Sequence, residues 1–186
     1  VKRSPDDGAA CGEPSFTEET APAVRRVIAR RMLESKLTTP HFYLFDEVDM
    51  DAAVDFRREL NLRQEEGGGS GDTRGGGKIS FGDIIVKAAA VALENHPECN
   101  VSYHEGKIRT YGEININVAV AVEGALLVPT VRRCAGRSIF SLSAAIRELA
   151  EKARNKKLRA RENMGGTFTV SNLGVFGLEG SFSIIN

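Results

Sequence analysis

A chain of 186 residues can bury one substantial core, and 25 lysines and arginines against 25 aspartates and glutamates leave no net field to draw it to nucleic acid or an anionic membrane. No apolar run approaches the roughly 20 residues that span a bilayer, and the stretch from Val1 to Thr20 lacks the apolar segment of a secretory signal. Cys11, Cys99 and Cys134 are widely spaced and odd in number, which fits neither a disulfide framework nor a zinc site with paired ligands and points to a reducing compartment.

Residues 1–20 mix prolines, glycines and charges without periodicity and read as a flexible linker; residues 21–186 read as one domain. From Pro22, the residues Val24, Val27, Ile28 and Met32 return at helical spacing, predicting a basic amphipathic helix over 22–36. Its Arg25, Arg26, Arg30 and Arg31 read as a solvated face rather than as phosphate ligands. Pro40 disfavours further helix, and the aromatic run His41 to Phe45 with Val48 predicts a strand over 41–49. Asp49 or Asp51 then caps a helix whose Ala53, Val54, Phe56, Leu60 and Leu62 approximate one apolar face. Residues 66–77 hold seven glycines and little to bury. Lys78 is followed by Ile79 rather than a magnesium-binding Ser or Thr, so this segment is a surface insertion, not a nucleotide loop.

Ser80 with Asp83 forms a capping-box variant that opens a buried helix ending near Asn95. Val101 to Tyr103 and Lys107 to Tyr111, joined through His104-Glu105-Gly106, predict a hairpin; Ile114 to Val122 and Leu126 to Val131 predict long buried strands. Cys99 and Cys134 flank such runs and are expected in or near the core. Helix returns over 138–154, with a Glu148–Lys152 pair at i,i+4. Gly166 to Ser171 and Ser181 to Ile185 predict two last strands around a glycine-containing loop. Irregular alternation of these elements makes the class α/β (α+β) with a mixed sheet.

His41, His96 and His104 are too far apart for a short metal motif, and no Gly-x-Ser-x-Gly elbow marks a serine hydrolase. Composition does not decode what remains. Six strings stand in one order: Arg30-Arg31-Met32, Thr39-Pro40-His41-Phe42-Tyr43, Ile114 to Ala121, Gly124 to Pro129, Leu149 to Arg154, and Gly166 to Gly174 with Phe176-Gly177. Together they resemble the catalytic inner-core domain of the dihydrolipoamide acyltransferases of 2-oxo acid dehydrogenase complexes, over about Val24 to Asn186. The resemblance implies a chloramphenicol acetyltransferase-like mixed-sheet sandwich with helices on one face. It implies acyl transfer, acetyl first and branched-chain acyl second, between coenzyme A and a lipoyl group carried on a separate domain, with no metal.

In that family a histidine in an Asp-His-Arg-x-x-x-Asp-Gly motif takes the thiol proton of coenzyme A, and a serine opening the Ser-Asn-Leu-Gly string donates to the oxyanion. Ser171 occupies the serine's place and is the catalytic candidate. His41 and Asn172 are the substrate-binding candidates, with positioning or packing preferred to a general-base role for His41. The histidine motif is expected about fifty residues past Ser171, whereas the given sequence runs to Asn186. Loss of such a base removes about 10² to 10⁴ in rate, so residues 1–186 alone are expected to be nearly inactive. The alternative is a non-catalytic structural core subunit.

Expected partners are coenzyme A, a lipoyl domain, other components of the complex and copies of the chain in a trimer-based core, with neither nucleic acid nor membrane. Without the missing strands, exposed sheet edges make the isolated chain aggregation-prone. The bacterial cytoplasm and the mitochondrial matrix both fit.

Overall fold

The structure, a computed structural model, describes residues 15–66, 77–122, 125–174, 177 and 180–185. The glycine-rich segment lies almost entirely outside these residues, as does most of the 1–20 stretch. The chain divides into two compact units, one of residues up to Asp46 together with Gly180 onward, the other Glu47–Glu179.

In the first unit, Pro22 precedes helix α1 (Ala23–Thr38), which starts one residue later than the spacing predicts and runs two residues further. None of its residues is buried, and Arg26 donates back to the Ala21 carbonyl at 2.8 Å. The expected strand over 41–49 does not form. Pro40 to Met50 carries neither helix nor ladder, and Phe42, Leu44, Phe45 and Val48 are exposed. β-propensity describes how a side chain suits a pleated surface, and a strand still needs a neighbour to exchange hydrogen bonds with. The expected strand over 181–185 is missing for the same reason. Side chains link these two segments instead, with the Tyr43 and Phe45 rings edge-on to Phe182 at centroid distances of 5.0 and 5.1 Å.

The second unit begins with α2 (Asp51–Glu65), whose first turn is held by the Asp51 amide donating to Asp49 Oδ1 at 2.8 Å. No residue of α2 is buried. Helix α3 (Phe81–Asn95) opens on the reciprocal capping box expected from Ser80 and Asp83. Asp83 is buried and accepts from the Ser80 amide (2.7 Å), the Ser80 hydroxyl (2.8 Å) and the Ser143 hydroxyl of the facing helix (3.0 Å). The cap thus also ties α3 to α4 (Ile139–Arg154), which begins on a Ser138 cap.

Strands β1 (Val101–His104) and β2 (Lys107–Thr110) form the expected hairpin. Glu105 and Gly106 both take positive φ, 48° and 79°, as a two-residue turn matched to strand twist requires. Cys99, in the 3₁₀ turn Pro97–Cys99, is exposed rather than in the core.

The two long strands expected over 114–131 are interrupted, giving β3 (Ile116–Val118), β4 (Val120–Val122), β5 (Ala125–Leu127) and β6 (Thr130–Val131). The register nevertheless runs on unchanged, from Ile116↔Val131 and Asn117↔Thr130 to Val120↔Leu127 and Val122↔Ala125. Pro129 explains the break. Its carbonyl accepts from the Val118 amide at 2.9 Å, but it has no N–H with which to return the bond. Strand β7 (Phe168–Val170) pairs parallel to β3, so β3 is central in a mixed three-stranded sheet ordered β6-β3-β7.

Helix α4 packs on α3, β4 and β6. The main core joins Val86, Ala90 and Leu93 of α3 to Ile114, Ile116, Val131, Cys134 and Leu142. A smaller cluster of Val120, Ala150 and Ala153 continues it along α4.

Candidate functional site around Ser171

Ser171 is the first residue after β7, and its position follows from how β7 is anchored. Asn115, buried just ahead of β3, does most of the anchoring. Its side chain donates to the Gly165 carbonyl (3.0 Å) and accepts from the Arg133 amide (2.8 Å). Its carbonyl accepts from the amides of Thr167 (2.7 Å) and Phe168 (3.3 Å). One residue pair further, Asn117 spans the sheet: Thr130 Oγ1 donates to its Oδ1 at 2.7 Å, and its Nδ2 donates to Thr169 Oγ1 at 3.2 Å. Gly166 lies against this amide so closely that an added Cβ would overlap the Asn117 side chain. Beyond it the Val170 carbonyl accepts from the Ala119 amide at 3.2 Å. The backbone leading into Ser171 is therefore fixed up to the preceding carbonyl.

The Ser171 side chain is exposed and has no hydrogen-bond partner among the described residues. Asn172 is spent locally, its Oδ1 accepting from the Gly174 amide at 3.0 Å to shape the turn. A hydroxyl at the end of a fixed strand, followed by a fixed turn, can donate to an incoming oxygen at little cost in ordering.

His41 belongs to the other unit, where both ring nitrogens are occupied. Nδ1 faces the Thr39 carbonyl at 2.7 Å, and Nε2 faces the Ile185 amide at 3.2 Å. A carbonyl can only accept and an amide N–H can only donate, so this pair of contacts calls for a donor at Nδ1 and a lone pair at Nε2. Arg25, Arg26, Arg30 and Arg31 stand on α1, where every residue is exposed or half-buried. Among the described residues no group of three or more His, Cys, Asp or Glu side chains is placed to hold a metal ion, and no helix is long and apolar enough to cross a membrane.

Asn115 and Asn117 received no role from the sequence. The available signal was polar residues at alternate positions in an apolar run, since a buried amide is retained where it has partners.

The family model described as 2-oxoacid dehydrogenases acyltransferase (catalytic domain) matches residues 13–186. The chain is 41% identical over 163 residues to the dihydrolipoyllysine-residue acetyltransferase component of the pyruvate dehydrogenase complex of Rickettsia bellii, covering 88% of this chain and 37% of that protein. It therefore spans well under half the length of this curated relative. Among solved structures it is similar to a probable dihydrolipoamide acetyltransferase from Listeria monocytogenes, with TM-score 0.80 and 34% identity over 92% of this chain and 70% of that one. It is also similar to the cubic core of a pyruvate dehydrogenase multienzyme complex, with TM-score 0.81 and 28% identity over 98% of this chain and 73% of that one.

Proposed function

The chain belongs to the 2-oxoacid dehydrogenase acyltransferase family, as its catalytic domain, and from that membership we propose that it carries acetyl groups between dihydrolipoyl-lysine and coenzyme A in a pyruvate dehydrogenase-type complex. The names of its relatives support acetyl as the group and a multienzyme core as the setting. A trimer-based assembly, a lipoyl domain as donor and the other components of the complex complete the partner set. The compartment is a reducing one, bacterial cytoplasm or mitochondrial matrix.

The observation that carries the reading is the Ser171 hydroxyl, unengaged among the described residues, at the end of a backbone pinned from Gly165 to Val170. In the transfer, the coenzyme A thiol loses its proton to a base and its sulfur attacks the thioester carbonyl. The carbonyl π electrons move onto oxygen, and the Ser171 hydroxyl donates to that oxyanion. Re-formation of the carbonyl expels the dihydrolipoyl sulfur, which takes up a proton. A donor on backbone already held in place meets the developing charge with only its own side-chain rotation to set. The family assigns the base to an Asp-His-Arg string, which does not occur within residues 1–186.

In this scheme Asn172 acts by shaping the turn behind the serine. His41 is proposed for packing and positioning rather than as the base, since a ring with both nitrogens bonded has none left to take a proton while Ile185 stays in place.

The test is acetyl transfer from acetyl-dihydrolipoamide to coenzyme A by the full gene product and its Ser171→Ala variant. Loss of one oxyanion donor lowers kcat by about 10² to 10³, with both KM values nearly unchanged because the contact forms only at the transition state. A Ser171→Ala variant that turns over at the parental rate refutes the role of the serine. A full gene product without transfer activity leaves a structural core subunit as the answer.

A further inference from the structure

A recess of about 390 Å³ opens between β6, Arg137 just ahead of α4, the middle and last turns of α4, and the 3₁₀ turn Ala160–Asn163. Its charged lining is Arg132, Arg137, Lys152 and Arg161 with Glu148 and Glu162. Both carboxylates are already committed to one lysine. Lys152 Nζ lies 2.6 Å from Glu148 and 2.8 Å from Glu162, and Glu162 also accepts from the Arg159 amide at 2.8 Å.

The guanidinium groups, by contrast, meet only neutral acceptors. Arg132 donates through Nη2 to the carbonyls of Arg161 (3.0 Å) and Met164 (2.8 Å). Arg137 donates to the Ser141 hydroxyl and carbonyl at 2.9–3.1 Å and to the Arg132 carbonyl at 3.3 Å. The Arg161 side chain has neither hydrogen bond nor ion pair among the described residues, and there Nη1 and Nε of Arg132 are also free. Four cations against two carboxylates leave an excess of two positive charges around one hollow.

We propose that this recess is an anion site that takes a phosphate-bearing small molecule, held by Arg132, Arg137 and Arg161. The excess of two charges matches a phosphate dianion rather than a single carboxylate, and guanidinium forks bind phosphate oxygens in pairs. Carbonyl and hydroxyl acceptors already orient Arg132 and Arg137, so binding orders little that is not ordered beforehand. Arg132 grips the chain at Met164, before β7, whereas Ser171 follows that strand. Nothing in the proposal depends on the role of Ser171.

The experiment is calorimetric titration of the full chain with inorganic phosphate and with glycerol 3-phosphate, against sodium chloride at matched ionic strength. Saturable binding at about millimolar Kd or tighter is expected, weakened about tenfold by Arg161→Gln, which removes one charge-assisted contact. Because the Arg161 side chain holds no other group among the described residues, that variant should melt with the parent when phosphate is absent; Arg132→Gln, which also frees two carbonyls, serves as the second variant. Saturation by inorganic phosphate alone assigns a free anion, and tighter binding of the ester assigns a phosphorylated metabolite; either supports the site. Heats no greater than those of chloride, or parental affinity in both variants, overturn it.

Discussion

Substituting Gly166 with alanine tests the anchoring of β7. The new Cβ would overlap the Asn117 side chain, so one of the two must move. The φ of Gly166, unlike that of Gly165, is not in the left-handed region, so the cost comes from contact rather than from backbone strain. If Asn117 swings away it loses its bonds to Thr130 and Thr169. Thr130 is buried, and a buried hydroxyl left unpaired costs about 1–3 kcal/mol, while the more exposed bond to Thr169 adds about 0.5–1 kcal/mol. The sum is about 1.5–4 kcal/mol. With a urea m-value of about 2 kcal/mol/M for a chain of this size, the midpoint should fall by about 1–2 M. Asn117→Ala forfeits the same bonds by itself, but it also removes the atoms that collide. Gly166→Ala on the Asn117→Ala background should therefore add about 0.5 kcal/mol or less, a strong non-additivity. Far-UV circular dichroism across a urea series on the four proteins of this cycle measures it. Additive losses, or a Gly166→Ala variant as stable as the parent, would refute the account.

The cysteines should separate by reactivity. Burial pushes the Cys134 thiol up from its ordinary value, and its Sγ lies 3.2 Å from the Val131 carbonyl, whereas Cys99 is exposed. A thiol reagent at about pH 8, followed by peptide mapping, should mark Cys99 in the native chain and Cys134 only after unfolding, because the thiolate is the reacting form; equal labelling would contradict the burial. The Lys152 pairings should show in a pH series. The hydrogen bond from Lys152, and then that from the Arg159 amide, holds the Glu162 carboxyl below its ordinary 4.5. Hydrogen bonds to Glu148 first and Glu162 second hold Lys152 above its ordinary 10.5. A lowered carboxyl stabilises the fold above the unfolded value and ceases to do so as pH falls through the folded one. A raised amine stabilises it below the unfolded value and ceases to do so as pH rises through the folded one. The difference in melting temperature between the parent and Glu162→Gln should therefore be flat near neutrality, shrinking below about pH 4.5 and above about pH 10.5. A difference that grows toward acid would reverse the assignment.

Helix α3 was legible from its local cap, and α4 from the helical spacing of Ile139, Leu142, Ile146 and Leu149. Ser80 needs only Asp83, three residues on, to form its box; the Ser138 cap on the Ser141 amide emerges only from the structure. The hairpin of β1 and β2 was legible for a like reason, its turn lying within Glu105-Gly106. Strands 41–49 and 181–185 were over-read because aromatic and branched residues mark a chain able to pair without supplying the partner. Pro129 lies inside a run read as one strand, and its effect, two strand pairs sharing one register across a gap, needs the opposite strand to be known. Cys99 was misplaced because an apolar run beside it says nothing of the turn it sits in. Of the candidate site, Ser171 and Asn172 came from a matched string. Asn115 and Asn117 did not, because their partners at Gly165, Thr167 and Thr169 lie some fifty residues away.

The central place of β3 also bears on the order in which the chain folds. Its side-chain link to β6 closes a loop of 13 residues, and its link to β7 closes one of 52. Short loops close at lower entropic cost and sooner, so β6 should dock early and β7 late, after α4 has formed between them. During synthesis one edge of β3 then waits unpaired until the residues around Thr167 emerge, an interval in which another nascent chain could take the vacant place. Pulse-labelled hydrogen exchange would register this as delayed protection of the Thr167 and Phe168 amides, and simultaneous protection of both edges of β3 would argue against it.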